Sequence, residues 1–160
     1  MGEVARIFPD KEPVVLHVIS RENPHSWMFM PGAMARIEAF CLRYGGDGTP
    51  EDWRRFLETQ FTAENPDMFL LLVMDGIEIV GHVLAIMCNW LGKPFCLICQ
   101  LQIDRPLDGE LVDAGFDAVR AWAVRRKAKR IKVETVSRAH LRAFRKHGLR
   151  FKRFTAEMGV

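Results

Sequence analysis

MFLLLVMDGIEIVGHVLAIMCNWLGKPFCLICQLQI, residues 68–103, is the stretch on which the fold turns. Residues 68–74 form an unbroken apolar run of strand length. Asp75-Gly76 follows, the pair that best tolerates the positive φ angles of a two-residue hairpin turn, so residues 77–87 are expected to return as an antiparallel partner. Gly92, Lys93 and Pro94 mark another turn, and residues 95–103 supply a third strand. The expectation is a three-stranded antiparallel meander. Strict alternation puts Glu78 and His82 on one face of the second strand. It also puts Gln100, Gln102 and Asp104 on one face of the third, opposite Phe95, Leu97, Leu101 and Ile103.

Working outward, the hydrophobic period changes to that of a helix after the meander. Leu111, Gly115, Ala118 and Trp122 form one line and Val112, Phe116, Val119 and Ala123 the next, which predicts a helix over 108–128 lying flat on the sheet. Residues 131–136 read as a short strand, so the strand–helix–strand order implies a parallel crossover. Ser137 can cap a short helix to His147, Gly148 ends it, and residues 149–157 return as a last strand. Upstream, the break at residues 45–50 separates two helices. One covers 32–44, with Met34, Ile37, Phe40 and Cys41 on a stripe; the other starts at Thr49, Pro50, Glu51 and Asp52, with Trp53, Phe56, Leu57 and Phe61 facing inward. With a strand at 14–19, the fold class is α/β (α+β), a single domain over residues 1–160 whose mixed, mostly antiparallel sheet is flanked by helices.

Charge is divided unevenly along the chain. Residues 120–160 hold 14 of the 23 Lys/Arg and only Glu134 and Glu157 among the acids, about +12 against −9 for the rest. Apolar residues interleave with these cations, so the segment is a folded lobe able to attract anions and not a polybasic tail. It contains no helix-turn-helix or aromatic RNA-binding strand, and nucleic acid is not the expected partner. The N-terminal residues carry charges where a signal peptide needs an apolar core, and residues 68–74 are too short to span a bilayer; a cytoplasmic protein without a membrane partner is expected. Cys96 and Cys99 lie three apart on a strand and therefore face opposite ways, which excludes a shared metal or a local disulfide. His17, His25, His82, His140 and His147 have no ligand spacing with any cysteine, so no metal site is expected.

The element order, a strand, two helices, a meander, a long helix, a strand, a short helix and a last strand, resembles that of the GCN5-related N-acetyltransferases, with their acyl-CoA N-acyltransferase architecture. Locally, SRAHLRAFRKHGLRF, residues 137–151, looks like that family's final helix and the Gly-aromatic step after it. The resemblance implies acetyl-CoA as cofactor and a small-molecule or peptide amine as acceptor, acylated by direct attack. It implies that the backbone of Leu101, Gln102 and Ile103 pairs with the pantetheine arm. Arg105 and Gly109 would belong to the pyrophosphate loop, with Arg142 and Arg145 toward the 3′-phosphate. It further implies a general base on a strand, for which Glu78 and His82 are the candidates.

Three departures accompany the resemblance. One residue too many precedes Gly109, and Leu111 stands where the family has a small residue. Asp104, Asp108, Glu110 and Asp113 crowd the place of a dianionic group. Phe144 occupies the position of the family's proton-donating tyrosine, and a phenyl ring has no proton to give. Two alternatives therefore stay open beside the acyltransferase: a binding or assembly module that kept the fold and lost the chemistry, and nucleic-acid binding by the basic lobe.

Overall fold

A computed structural model describes residues 13–45, 48–133 and 145–148. It places β1 (Val15–Ile19), α1 (Pro24–Tyr44), α2 (Pro50–Thr62), β2 (Met68–Asp75), β3 (Glu78–Trp90), β4 (Lys93–Ile103), α3 (Gly109–Arg125) and β5 (Ile131–Val133) in that order. The sheet runs β1-β2-β3-β4-β5, antiparallel as far as β4 and parallel between β4 and β5. The expected meander and crossover are both present. Residues 134–136, most of the short helix including Arg142 and Phe144, and the last strand lie outside the described residues.

Sequence chemistry explains where the elements begin. The Thr49 and Asp52 side chains form a reciprocal capping box at the start of α2, with Pro50 in the first turn. The α3 helix starts where the Asp108 side chain accepts from the Glu110 amide. Two boundaries correct the sequence reading. Helix α1 begins at Pro24, capped by Asn23, and runs through Pro31, whereas the sequence reading started it at residue 32. Ser26, Met30, Ala33, Ile37 and Cys41 are buried along one stripe of it, and that burial outweighs the proline. Gly32 belongs to this contact as well, because a Cβ there would lie 2.9 Å from Ile79 Cδ1. The first hairpin turn is shifted by one residue, since Asp75 pairs with Glu78 and leaves Gly76-Ile77 as the central pair, with only Gly76 at positive φ.

Two cores sandwich the sheet. Helices α1 and α2 cover Leu70, Leu72 and Met74 of β2 and Leu84 of β3, while α3 covers Phe69 and Leu71 of β2, Ala85 of β3 and Cys96 and Ile98 of β4. Residues 68–74 of β2 are apolar without a break because both faces of the strand are covered. Cys96 packs on the α3 side and Cys99 against the α1/α2 core, so the pair faces apart as expected. Burial pushes the Cys96 thiol up to about 11, which leaves it an inert packing group.

Candidate functional site

Two interruptions of the sheet register shape the polar region. Val73 pairs with Gly81 and Met74 with Ile79, so Val80 is an extra residue on β3. Leu84 pairs with Gln100 and Ala85 with Ile98, so Cys99 is an extra residue on β4. Each bulge reverses the alternation that follows it. On β4, Cys96 and Ile98 face α3; beyond the bulge it is Leu101 that packs on that side, and Gln100 turns toward α1. On β3, Ile79 and Leu84 pack on the α1/α2 side and Val83 on the α3 side, so the bulge puts Glu78 and His82 on opposite faces. The face that Glu78 and His82 were expected to share is therefore not shared, and Glu78 stands exposed at the start of its strand.

His82 is fully buried beneath Phe40 of α1, whose ring meets it edge-on at 5.9 Å. Its Nε2 lies 3.1 Å from Gln100 Oε1. A side-chain carbonyl only accepts, so Nε2 carries the proton and Nδ1 keeps a lone pair, for which the described residues offer no partner. Burial lowers the pKa of His82 to about 4, an effect that the Gln100 hydrogen bond only partly offsets. The imidazole is neutral at pH 7. Gln102 stands directly opposite His82 in the register, and its amide donates to Asp104 Oδ1 at 2.9 Å. Arg36 of α1 completes this polar wall, with Nη1 donating to Asp104 Oδ2 at 2.8 Å and to the Ile79 carbonyl at 3.0 Å. That Arg36 hydrogen bond holds the Asp104 carboxyl below its ordinary pKa. Nε and Nη2 of Arg36 are buried and unpartnered among the described residues.

Sequence reasoning missed Arg36, which meets Asp104 from 68 residues away. Its one local signal is a charged residue on the flank of the buried α1 stripe, beside Ile37.

The residues assigned to a cofactor are spread along the same end of β4. Pairing of β4 with β5 covers only Cys96, Leu97 and Ile98 among the described residues, so Leu101, Gln102 and Ile103 lie beyond it. Arg105 is ion-paired to Asp75 of the first hairpin turn. Gly109 opens α3, and nothing lies within 4 Å of where its Cβ would be. The acidic crowding expected near Gly109 is relieved at two of its four members. Asp104 pairs with Arg36, and Asp113 pairs with Lys146 at 3.3 Å. Arg145 is exposed on the same short turn, whose His147 ring stacks on Phe116 of α3 at 4.1 Å.

The arrangement of these elements as a whole recurs in solved structures. An aminoglycoside acetyltransferase from an uncultured soil metagenomic sample superposes with a TM-score of 0.64 at 15% identity, covering 92% of this chain and 99% of its own. Glucosamine-6-phosphate N-acetyltransferase from Arabidopsis thaliana gives 0.63 at 10% identity, with 92% and 99% covered. The fold is that of the GCN5-related N-acetyltransferases. A transcriptional regulator from Bacillus halodurans shares this architecture too, with a TM-score of 0.62 at 15% identity over 92% of this chain and all of its own. No protein-family model matches the sequence, and no curated protein matches it.

Measured against an acyl-CoA, the chain fits in its backbone and fits less well in its charge. The β4 segment 101–103 and the open Gly109 at a helix N-terminus suit the pantetheine arm and a pyrophosphate. Asp108 and Glu110 flank that terminus, and Arg105, the nearest cation in sequence, is held by Asp75.

Proposed function

We propose that the protein is an N-acyltransferase, passing an acyl group from a coenzyme A thioester such as acetyl-CoA to an amine by direct attack. The observation that carries this reading is the Cys99 bulge, which turns Gln100 and Gln102 of β4 toward His82 of β3 beside the backbone of residues 101–103. The thioester supplies an activated acyl group. In this reading Leu101, Gln102 and Ile103 hold it by their backbone, Gly109 offers its amide to the pyrophosphate, and Arg142 and Arg145 approach the 3′-phosphate. His82 is the candidate base through Nδ1. Its low proton affinity makes it a weak base, so rate enhancement rests mainly on positioning and on backbone polarisation of the carbonyl. Glu78, the other candidate base, faces away from the Gln100 and Gln102 amides.

The acidic character of residues 1–119 favours a cationic amine as acceptor. Aminoglycosides head the panel to be tested, because aminoglycoside acetyltransferases are among the solved structures that share the fold. A second reading, a non-catalytic binding module, is supported by the Arg105–Asp75 pair and by the acids that remain around Gly109.

Thermal denaturation with and without acetyl-CoA separates the two readings. We expect a rise of no more than about 3 °C at millimolar ligand, growing in the Asp108→Asn/Glu110→Gln double variant, with coenzyme A thiol released when an acceptor amine is added. No shift in either protein, with the fold intact, replaces the enzyme reading by the module. A wild-type shift of roughly 5–10 °C would show that the acids do not oppose the pyrophosphate.

A further inference from the structure

The β3–β4 hairpin ends in Trp90-Leu91-Gly92-Lys93, with Trp90 and Lys93 paired and Leu91-Gly92 as a two-residue loop. Both loop residues have positive φ, 50° at Leu91 and 73° at Gly92, as the primed turn of a tight hairpin requires. Asn suits the first of these positions, and a leucine there is strained. Packing does not compensate, because Leu91 is 85% exposed and Trp90 beside it 64%. Two large apolar side chains thus stand in solvent at the hairpin tip, against the preference of the backbone that carries them.

Cations surround this tip. The Lys129 amide donates to the Pro94 carbonyl at 2.9 Å and the Cys96 amide to the Arg130 carbonyl at 3.0 Å, so the turn from α3 into β5 lies along the first residues of β4. Lys132 Nζ and the Arg130 guanidinium stand over the Phe95 ring, 4.3 Å and 5.6 Å from its centre. Lys93, Lys127, Lys129 and Arg130 are exposed and have no ion pair among the described residues, while Arg126 takes Asp67. Residues 79–103 and 118–133 contain no Asp or Glu, so neither segment offsets the charge. The patch lies at the opposite end of β4 from residues 101–103, roughly 25 Å away along the strand.

We infer that this hairpin tip docks on an anionic lipid surface, with Leu91 and Trp90 entering the headgroup layer and the cations facing acidic headgroups. A second copy of the chain is disfavoured, since two such patches repel each other. A nucleic-acid strand matches the charge but has no apolar layer to receive Leu91, whereas a bilayer offers both. Tryptophan favours the membrane boundary, where its ring is buried and its N–H stays wet. No helix among the described residues is long and apolar enough to cross a membrane, so the contact is with its surface. The sequence expectation of no membrane partner rested on spanning and signal segments, and a surface contact needs neither.

Vesicles of phosphatidylcholine with about one-third phosphatidylserine, set against phosphatidylcholine alone, test this with the whole protein. At low salt the anionic vesicles should bind it at least about tenfold better than the neutral ones, and release it as salt rises. Leu91→Asn suits the turn and keeps the fold, yet should weaken binding roughly fivefold to tenfold. Lys129→Gln/Lys132→Gln should weaken it about tenfold or more and flatten the salt dependence. Lipids brominated in their chains should quench the tryptophan emission of the wild type and quench that of Trp90→Phe much less. A single-stranded oligonucleotide, the competing polyanion, should fail to displace the protein from the vesicles at equal charge concentration. The assignment is overturned if neither vesicle binds, if the neutral vesicles bind as well as the anionic ones, if Leu91→Asn binds as the wild type does, or if Trp90→Phe is quenched as strongly. It is equally overturned if the oligonucleotide strips the protein from the vesicles, which would make the patch a nucleic-acid surface. None of these readouts depends on acyl transfer.

Discussion

Two neighbouring residues, Gly81 and His82, record how tightly β3 and β4 are matched. A Cβ on Gly81 would stand 2.8 Å from Ile103 Cδ1, 3.0 Å from the Gln102 carbonyl oxygen and 3.2 Å from Val73 Cγ2. The carbonyl belongs to the ladder and cannot swing away, so Gly81→Ala should cost about 1–3 kcal/mol in chemical denaturation. A loss within experimental error would show that β4 sits farther from β3 than described. His82 makes a pH-dependent contribution instead. Burial holds its pKa at about 4 in the fold against 6.5 ordinarily, so between those values the unfolded chain binds a proton that the folded one refuses. Stability is then full above about pH 6.5 and declines toward pH 4, by on the order of 3 kcal/mol from this residue. Denaturant midpoints measured across that window should slope less steeply in His82→Gln. Some slope should remain from His17, which burial also lowers. An unchanged slope would mean that His82 is not the neutral buried group.

Among the elements, α1 shows tertiary packing overruling a local signal. Pro31 has no N–H to give the Trp27 carbonyl, and an interior proline costs a helix about 3 kcal/mol. The helix persists because its buried stripe extends on both sides of Pro31, from Ser26 to Cys41. Pro31→Ala should therefore raise stability by about 1–3 kcal/mol, read from the denaturant midpoint at constant m-value. A decrease would indicate that the proline is needed to seat α1 on Ile79. The bulges at Val80 and Cys99 teach the reverse lesson, because only Gly81 beside Val80 hints at the first and no residue of β4 announces the second. They decide which face Glu78, Gln100 and Gln102 take, and with it which side chains meet His82.

At the scale of the whole molecule, β2 joins two cores that differ in packing. Leu72 is embedded between β2 and helices α1 and α2, whereas Leu71, equally buried, borders a cavity beneath α3. Leu72→Ala should fall in the upper part of the 2–5 kcal/mol range for such truncations and Leu71→Ala in the lower part, because Leu71 has fewer neighbours to lose. Both variants should still unfold in a single transition, since one strand carries both side chains. The reverse ranking would show that α3 packs as closely as α1 and α2 do. Charge is also distributed at this scale. Arg125, Lys127, Lys129 and Arg130 are exposed together where α3 gives way to β5.

The meander, the parallel crossover, the capping of α2 and the opposed faces of Cys96 and Cys99 were legible in the sequence, because each rests on local chemistry: apolar runs, glycine at turns, a capping threonine and short-range alternation. The likeness to the GCN5-related fold came from the order of those elements. The site was legible only in part. Gln100, Gln102 and Asp104 do share a face, yet the face expected to carry both Glu78 and His82 does not, because one extra residue in a strand moves every later side chain to the other face. Arg36 reaches Asp104 only through the packing of α1 on the sheet, and Arg105 is drawn to Asp75 across a turn whose position the sequence missed by one residue. Local chemistry settles what an element is. Which side chains it brings together depends on registers and approaches set between elements, where contacts distant in sequence outweigh local preference.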